Sequence, residues 1–310
     1  MKKKSILIGF ITLFLAVGLT GCTRGLNGKG ETFQLSVKEF ATYAYNELFT
    51  LSEETYENFM HASYLTVIDY YGEVHVMKIS AEIERHPWDF SRLDDNDTFK
   101  NYIENDGSKR RVGIDVSQFQ GYINWETVAG QIDFAIVRIG YRGYVAGNLT
   151  MDPFYHNNMQ GAIQNGVDVG VYFYSQATSY EEGVEEANFV LNNLGEYALN
   201  YPIVIDIEDP LDDEARTAHM TSYEHTEACI GFLDTVEAAG HKGMIYTNRN
   251  YYALNLIIEM LYEKGYPIWF AQYASMPDWP HPFHIWQYSE AGRISGIETT
   301  VDLNLEMITP

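Results

Sequence analysis

Eight short apolar segments, rich in β-branched and aromatic residues, recur between residues 112 and 304 and constrain this chain more than any other feature. They occupy 112–116, 133–139, 167–174, 202–208, 243–248, 267–273, 283–288 and 300–304. Most are continuous apolar runs, the pattern of strands buried on both faces of a parallel sheet. Helical stretches are expected between the early ones, at 153–165, 180–194, 217–239 and 250–264. Together these predict an α/β barrel of mainly parallel strands. The late spacing is different. Only residues 274–282, with Pro277, Pro280 and Pro282 among them, separate the sixth strand from the seventh. A parallel crossover helix needs roughly a dozen residues or more, so the barrel is expected to lose its helices toward the C-terminus.

The N-terminus has another character. Lys2, Lys3 and Lys4 precede an apolar run from Ile6 to Leu19 that ends in Leu19-Thr20-Gly21-Cys22. This reads as a secretory signal, short for a membrane span of roughly 20 residues. Its last four residues resemble the lipobox of bacterial lipoproteins. Residues 1–21 are therefore expected to be a lipoprotein signal peptide and Cys22 the lipidation site, with plain release or a retained anchor as alternatives. The expected location is extracytoplasmic, lipid-anchored to a bacterial membrane. Residues 22–31 suit a flexible tether. Residues 32–105 read as a small α+β module of unknown role. Helices are expected over 37–49 and from the Thr50-Leu51-Ser52-Glu53 capping box to 61, then a hairpin of 64–70 and 73–80 around Tyr71-Gly72. The composition changes near Asp106 to Arg111, and the barrel is assigned to 110–310.

With 43 acidic against 20 basic side chains, the net charge is −23. That argues against nucleic acid as a partner, because phosphate binding needs clustered Lys and Arg. If lipid consumes Cys22, Cys229 stands alone and is most simply a small core residue. No zinc-protease, nucleophile-elbow, phosphate-loop or paired cysteine motif is present, and His281 and His284 read as a loop pair. Neither a metal nor a cofactor is implied.

The chemistry points to carboxylates. Tyr201-Pro202-Ile203-Val204-Ile205-Asp206-Ile207-Glu208 puts two acids at the C-terminal end of an oily strand, and residues i and i+2 share one face. The C-terminal rim is where such barrels keep their active sites. Asp115 ends the first strand and Asp302 lies in the last; these strands are neighbours in a closed barrel, so four acids are expected to converge on one mouth. Crowded, partly buried carboxylates acquire divergent pKa values, the equipment of glycoside hydrolysis. Tyr172 and Tyr174 share one face of their strand, with Tyr174 nearer the rim, and Tyr246 and Trp269 lie in later strands; all four are candidates for stacking on sugar, Tyr174 and Tyr246 being preferred.

Seven motifs in order carry a family resemblance. They are Gly113-Ile114-Asp115-Val116-Ser117 with Gln120-Gly121 and Ile123-Asn124-Trp125, Phe134-Ala135-Ile136-Val137-Arg138, Gly170-Val171-Tyr172-Phe173-Tyr174, Asp206-Ile207-Glu208, Trp269-Phe270-Ala271-Gln272-Tyr273, Trp286-Gln287-Tyr288 and Val301-Asp302-Leu303-Asn304. The chain resembles glycoside hydrolase family 25, whose lysozymes cleave the β-1,4 bond between N-acetylmuramic acid and N-acetylglucosamine in peptidoglycan. The resemblance implies an irregular TIM-like barrel of five βα units followed by three strands lacking helices. It also implies that Glu208 is the general acid/base, that Asp206 assists the intermediate, and that Asp115 and Asp302 shape the pocket. Gln287 joins the four aromatics as a substrate-binding candidate, and peptidoglycan glycan strands are the expected partner. A noncatalytic peptidoglycan-binding lipoprotein on the same fold is the alternative. The chitinase-type signature is excluded, since it would need acids at Tyr201 and Val204.

Overall fold

The computed structural model describes residues 34–35, 63–69, 72–95, 98–209 and 212–308. The leader, Cys22, the tether and the helices expected over 37–61 lie outside them. The chain forms two compact units, one of residues 1–83 with 257–260, the other of 84–256 with 261–310.

In the first unit, β1 (Gln34–Leu35), β2 (Tyr64–Ile68) and β3 (Val74–Lys78) make an antiparallel sheet in the order β1-β3-β2. The expected hairpin is β2–β3, turning at Gly72, whose φ of 82° is costly for a residue with a Cβ. Val67, Val76 and Met77 are its buried residues with least exposure.

The second unit holds the barrel. Its strands are β6 (Val112–Val116), β7 (Phe134–Arg142), β9 (Asp168–Tyr174), β10 (Ile203–Asp206), β11 (Gly243–Asn248), β12 (Ile268–Ala271), β13 (Ile285–Gly292) and β14 (Val301–Glu306). From β6 to β13 each pairs in parallel with the next, while β14 runs antiparallel to both β13 and β6 and closes the ring. A further short strand, β8 (Leu149–Met151), adds antiparallel to the edge of β7 and was not foreseen. Helices α1 (Trp125–Val128), α2 (Tyr155–Gln164), α3 (Tyr180–Asn193), α4 (Ser222–Ala238), and the pair α5 (Arg249–Asn255) and α6 (Ile258–Lys264) follow the first five barrel strands. No described helix follows the last three, as the proline-rich spacing required. Two expected helices are corrected. α4 starts at Ser222 because Thr221 and Glu224 form a reciprocal capping box. The 250–264 helix is broken at Leu256, whose backbone is extended.

The boundary also moves. The barrel unit begins at Glu84, earlier than the composition change near 106–111 suggested. Residues 84–110, with β4 (Leu93–Asp94) and β5 (Asn101–Tyr102), pack over strands that have no helices of their own. Trp88 packs on Phe283 with centroids 4.5 Å apart, and the Lys100 ammonium lies over the Trp286 and Tyr288 rings. The Lys100 N–H donates to Tyr288 Oη (3.0 Å), and Arg110 donates to the Met307 carbonyl. A polar composition hid this covering role, because the apolar residues that bury are widely spaced: Trp88, Phe99 and Tyr102.

Side chains from alternate strand positions fill the barrel. Phe134, Ile136, Val204, Met244, Tyr246, Trp269 and Ile285 form one buried cluster, with Tyr172 packed against it. At the lower end the Phe134 and Tyr201 rings stack 4.5 Å apart. Gly113 is required there, since a Cβ would sit 2.5 Å from the Phe134 ring.

Candidate active site

The alternation that buries Val204 also turns Asp206 inward. The ladder continues past β10: Ser175 N–H donates to the Asp206 carbonyl (2.8 Å) and Ile207 N–H to the Tyr246 carbonyl (3.0 Å). Glu208 therefore leaves the ring on the same face as Asp206, at the C-terminal rim. Antiparallel register sets Asp302 directly opposite Asp115 across β14 and β6, and their carboxyls are hydrogen-bonded. All four acids predicted from sequence thus reach one mouth.

Their environments differ. Burial, then the charges of Asp115 and Asp209, push Glu208 up to about 7. Asp206 is driven well above the carboxylate range by burial, then by Glu208 and Asp115, with Arg138 opposing. Its Oδ1 is buried with no hydrogen-bond partner. Burial also raises Asp115, against donations to its Oδ1 from Asn304 Nδ2 (2.8 Å) and Gln287 Nε2 (2.9 Å). Asp302 is pushed to about 9 by burial and by Asp115. Two carboxyls in such contact share one proton near neutral pH. The mouth therefore offers both a proton donor and an anion.

The predicted sugar contacts separate into two layers. Trp269 and Gln287 are 1% exposed, so neither offers a surface to a ligand. Trp269 Nε1 donates to Asn304 Oδ1 (2.7 Å), and Gln287 Oε1 accepts from Tyr246 Oη and Tyr273 Oη, both at 2.9 Å. Trp269 thus holds Asn304, and Asn304 and Gln287 are the two amides that hold Asp115. Tyr246 shares that role and is buried, its ring edge-on to Trp269 at 4.6 Å. Sequence alone could not distinguish a side chain lining the mouth from one supporting it. Tyr172 and Tyr174 remain half-buried, Tyr174 with its ring edge-on to Tyr144.

Several residues were missed. Phe119 and Tyr122 after β6, Tyr144 after β7 and Tyr273 after β12 are exposed rings on loops that follow strand C-termini, Phe119 at 70%. Asn304 and Arg138 carried a signal, two residues beyond Asp302 and Ile136 on inward-facing registers. A polar residue there had to face the interior.

Among the described residues, the ligand atoms of Asp69, Glu73 and His75 on the β2–β3 hairpin lie within 4.8 Å of one another and could hold a metal ion. His75 Nε2 and Asp69 Oδ2 are already paired at 2.8 Å. Cys229 is fully buried in α4, as expected of a core residue.

A closed barrel with inward carboxyls of divergent acidity at the C-terminal ends of its strands has the architecture and the chemistry of a glycoside hydrolase. The profile of glycosyl hydrolases family 25 matches residues 114–297, and the chain belongs to that family. Similar proteins include the uncharacterized protein YegX of Escherichia coli K12, 29% identical over 197 residues, covering 62% of this chain and 68% of YegX. Lysozyme M1 of Streptomyces globisporus is 26% identical over 200 residues, covering 62% and 66%. The crystal structure of the bacterial lysozyme from Streptomyces coelicolor superimposes with a TM-score of 0.55 at 27% identity, covering 64% of this chain and 92% of that one.

Proposed function

We propose that this protein is a cell-wall lysozyme that hydrolyses the β-1,4 bond between N-acetylmuramic acid and N-acetylglucosamine, with Glu208 as general acid/base. The supporting observation is the contrast within one pair: Glu208 titrates at about 7 at the rim, and Asp206 beside it keeps one carboxylate oxygen without a protein partner. Both sugars carry a 2-acetamido group. Glu208 protonates the leaving glycosidic oxygen while the acetamido carbonyl attacks the anomeric carbon. Asp206 accepts a hydrogen bond from the acetamido N–H and stabilises the positive charge that develops there. Glu208, now a carboxylate, takes a proton from the incoming water, and the β configuration is retained. Asp115 and Asp302 shape the pocket wall, and the Phe119, Tyr122, Tyr144 and Tyr273 rings offer faces to sugars on either side.

Lipidation at Cys22 would fix the enzyme at the outer face of the membrane. Both enzyme and wall are anionic, so tethering raises the local concentration where long-range attraction cannot. Mass spectrometry of muropeptides released by the purified protein tests the reading: reducing-end muramic acid supports it, and reducing-end glucosamine refutes it. Proton NMR of the first-formed anomer tests retention, and labelling with a radioactive fatty acid tests Cys22.

A further inference from the structure

The mouth gathers Asp115, Asp206, Glu208 and Asp302, and among the described inward-facing barrel positions Arg138 on β7 is the one cation. It is held rigidly. Arg138 Nε donates to Asp152 Oδ2 (2.7 Å), and the guanidinium lies 5.0 Å from the Phe119 ring and 5.5 Å from the Tyr141 ring. Asp152 is fixed in turn, accepting Gln118 N–H on Oδ2 (3.0 Å) and Phe154 N–H on Oδ1 (2.8 Å). This single-point attachment leaves Arg138 Nη2 buried with no hydrogen-bond partner, and Asp206 Oδ1 is in the same condition. Unsatisfied charged atoms of opposite sign are expensive to bury, and in a low-dielectric cavity they act on one another without contact.

We propose that Arg138 is a positioning residue, the built-in counter-cation that offsets part of the burial of Asp206 and draws that carboxyl, rather than Glu208, toward the anion. This rests on the roles assigned to that pair above. Asp206 faces Glu208 at the end of its own strand, Asp115 and Asp302 across the mouth, Tyr172 and Tyr174 on β9 and Tyr246 on β11. All of these are acidic or neutral, and only Arg138 favours the anion. The guanidinium also acts on Tyr172, between the two strands, whereas the charges acting most on Glu208 are those of Asp115 and Asp209, both negative. Burial raises both carboxyls, but a cation opposes the rise only on Asp206, and such unequal environments are how a site divides acid from anion.

The test uses the full chain with Arg138→Gln, Arg138→Met, whose longer apolar stem still packs on Phe119, and Arg138→Lys, which keeps the charge. Two readouts are taken: the pH–rate profile on soluble glycan fragments of peptidoglycan, and the titration of Asp206 followed by carboxyl carbon-13 NMR. In the neutral variants the acidic limb is expected to move up by about one pH unit or more, with kcat reduced about tenfold or more and KM little changed. The Asp206 resonance should move by the same amount, and Arg138→Lys should restore most of both. If the neutral variants lose only thermal stability, with Asp206 titrating and the acidic limb lying as in wild type, Arg138 is structural and the proposal is overturned. Should the wild-type protein cleave no glycan, the proposed function fails, yet the NMR titration still decides the role of Arg138.

Discussion

Replacing Glu208 by Gln separates what this residue contributes to chemistry from what it costs the fold. In the folded protein burial, with the charges of Asp115 and Asp209, moves the carboxyl from 4.5 to about 7. The unfolded chain ionises the same group near 4.5, so within that window the folded state retains a proton that the unfolded state has lost. Stability must then fall as pH rises from about 4.5 to about 7. At about 1.4 kcal/mol per pH unit, holding the anion at pH 8 costs on the order of 3 kcal/mol. Gln carries no such charge. Glu208→Gln is therefore expected to unfold at the same urea concentration as wild type near pH 4, but to be more stable by about 1–3 kcal/mol near pH 8. Turnover on peptidoglycan should drop about 10²- to 10⁴-fold, the range for loss of a general acid. Urea melts at both pH values, with reducing-end release measured alongside, give the comparison. A variant less stable than wild type at pH 8 would refute the raised acidity constant, and one that still lysed cell walls at near the wild-type rate would refute the role.

The wild-type pH profile should show activity lost as pH rises through about 7, because the protonated form of Glu208 is the one that donates; a flat profile from pH 6 to 9 argues against it. Gln287→Leu removes a donor to Asp115 and leaves the Tyr246 and Tyr273 hydroxyls without their acceptor, so a loss of about 2–4 kcal/mol is expected in denaturant unfolding. Phe119→Ala and Tyr273→Ala together should raise KM for glycan chains several-fold. Phe119→Ala alone should leave the melting temperature within a degree or two, since 70% of that residue is already exposed. A chain starting at Arg111 uncovers the outer face of β13 and discards the buried Trp88, Phe99 and Tyr102. It should lose roughly 5 kcal/mol or precipitate, whereas one starting at Glu84 keeps that cover.

Much of this was written in local pattern. Continuous apolar runs placed the barrel strands within a few residues, because a strand buried on both faces cannot afford polar positions. The proline-rich gap after β12 predicted the missing helices. Period-two alternation put Asp206 and Glu208 on one face, and first-to-last closure put Asp115 beside Asp302. Whether Trp269 and Gln287 meet a ligand or hold up the residues that do depended on depth, and depth has no sequence period. The same holds for Arg138: its inward register was legible, but its isolation among acids comes from four different strands meeting at one mouth. For residues 84–110 the obstacle was range, since Trp88, Lys100 and Arg110 find partners nearly 200 residues away. Sequence by itself determined which elements form and which way their side chains face; only the closed tertiary structure decided which of those side chains share a dielectric, and therefore which of four carboxyls keeps its proton.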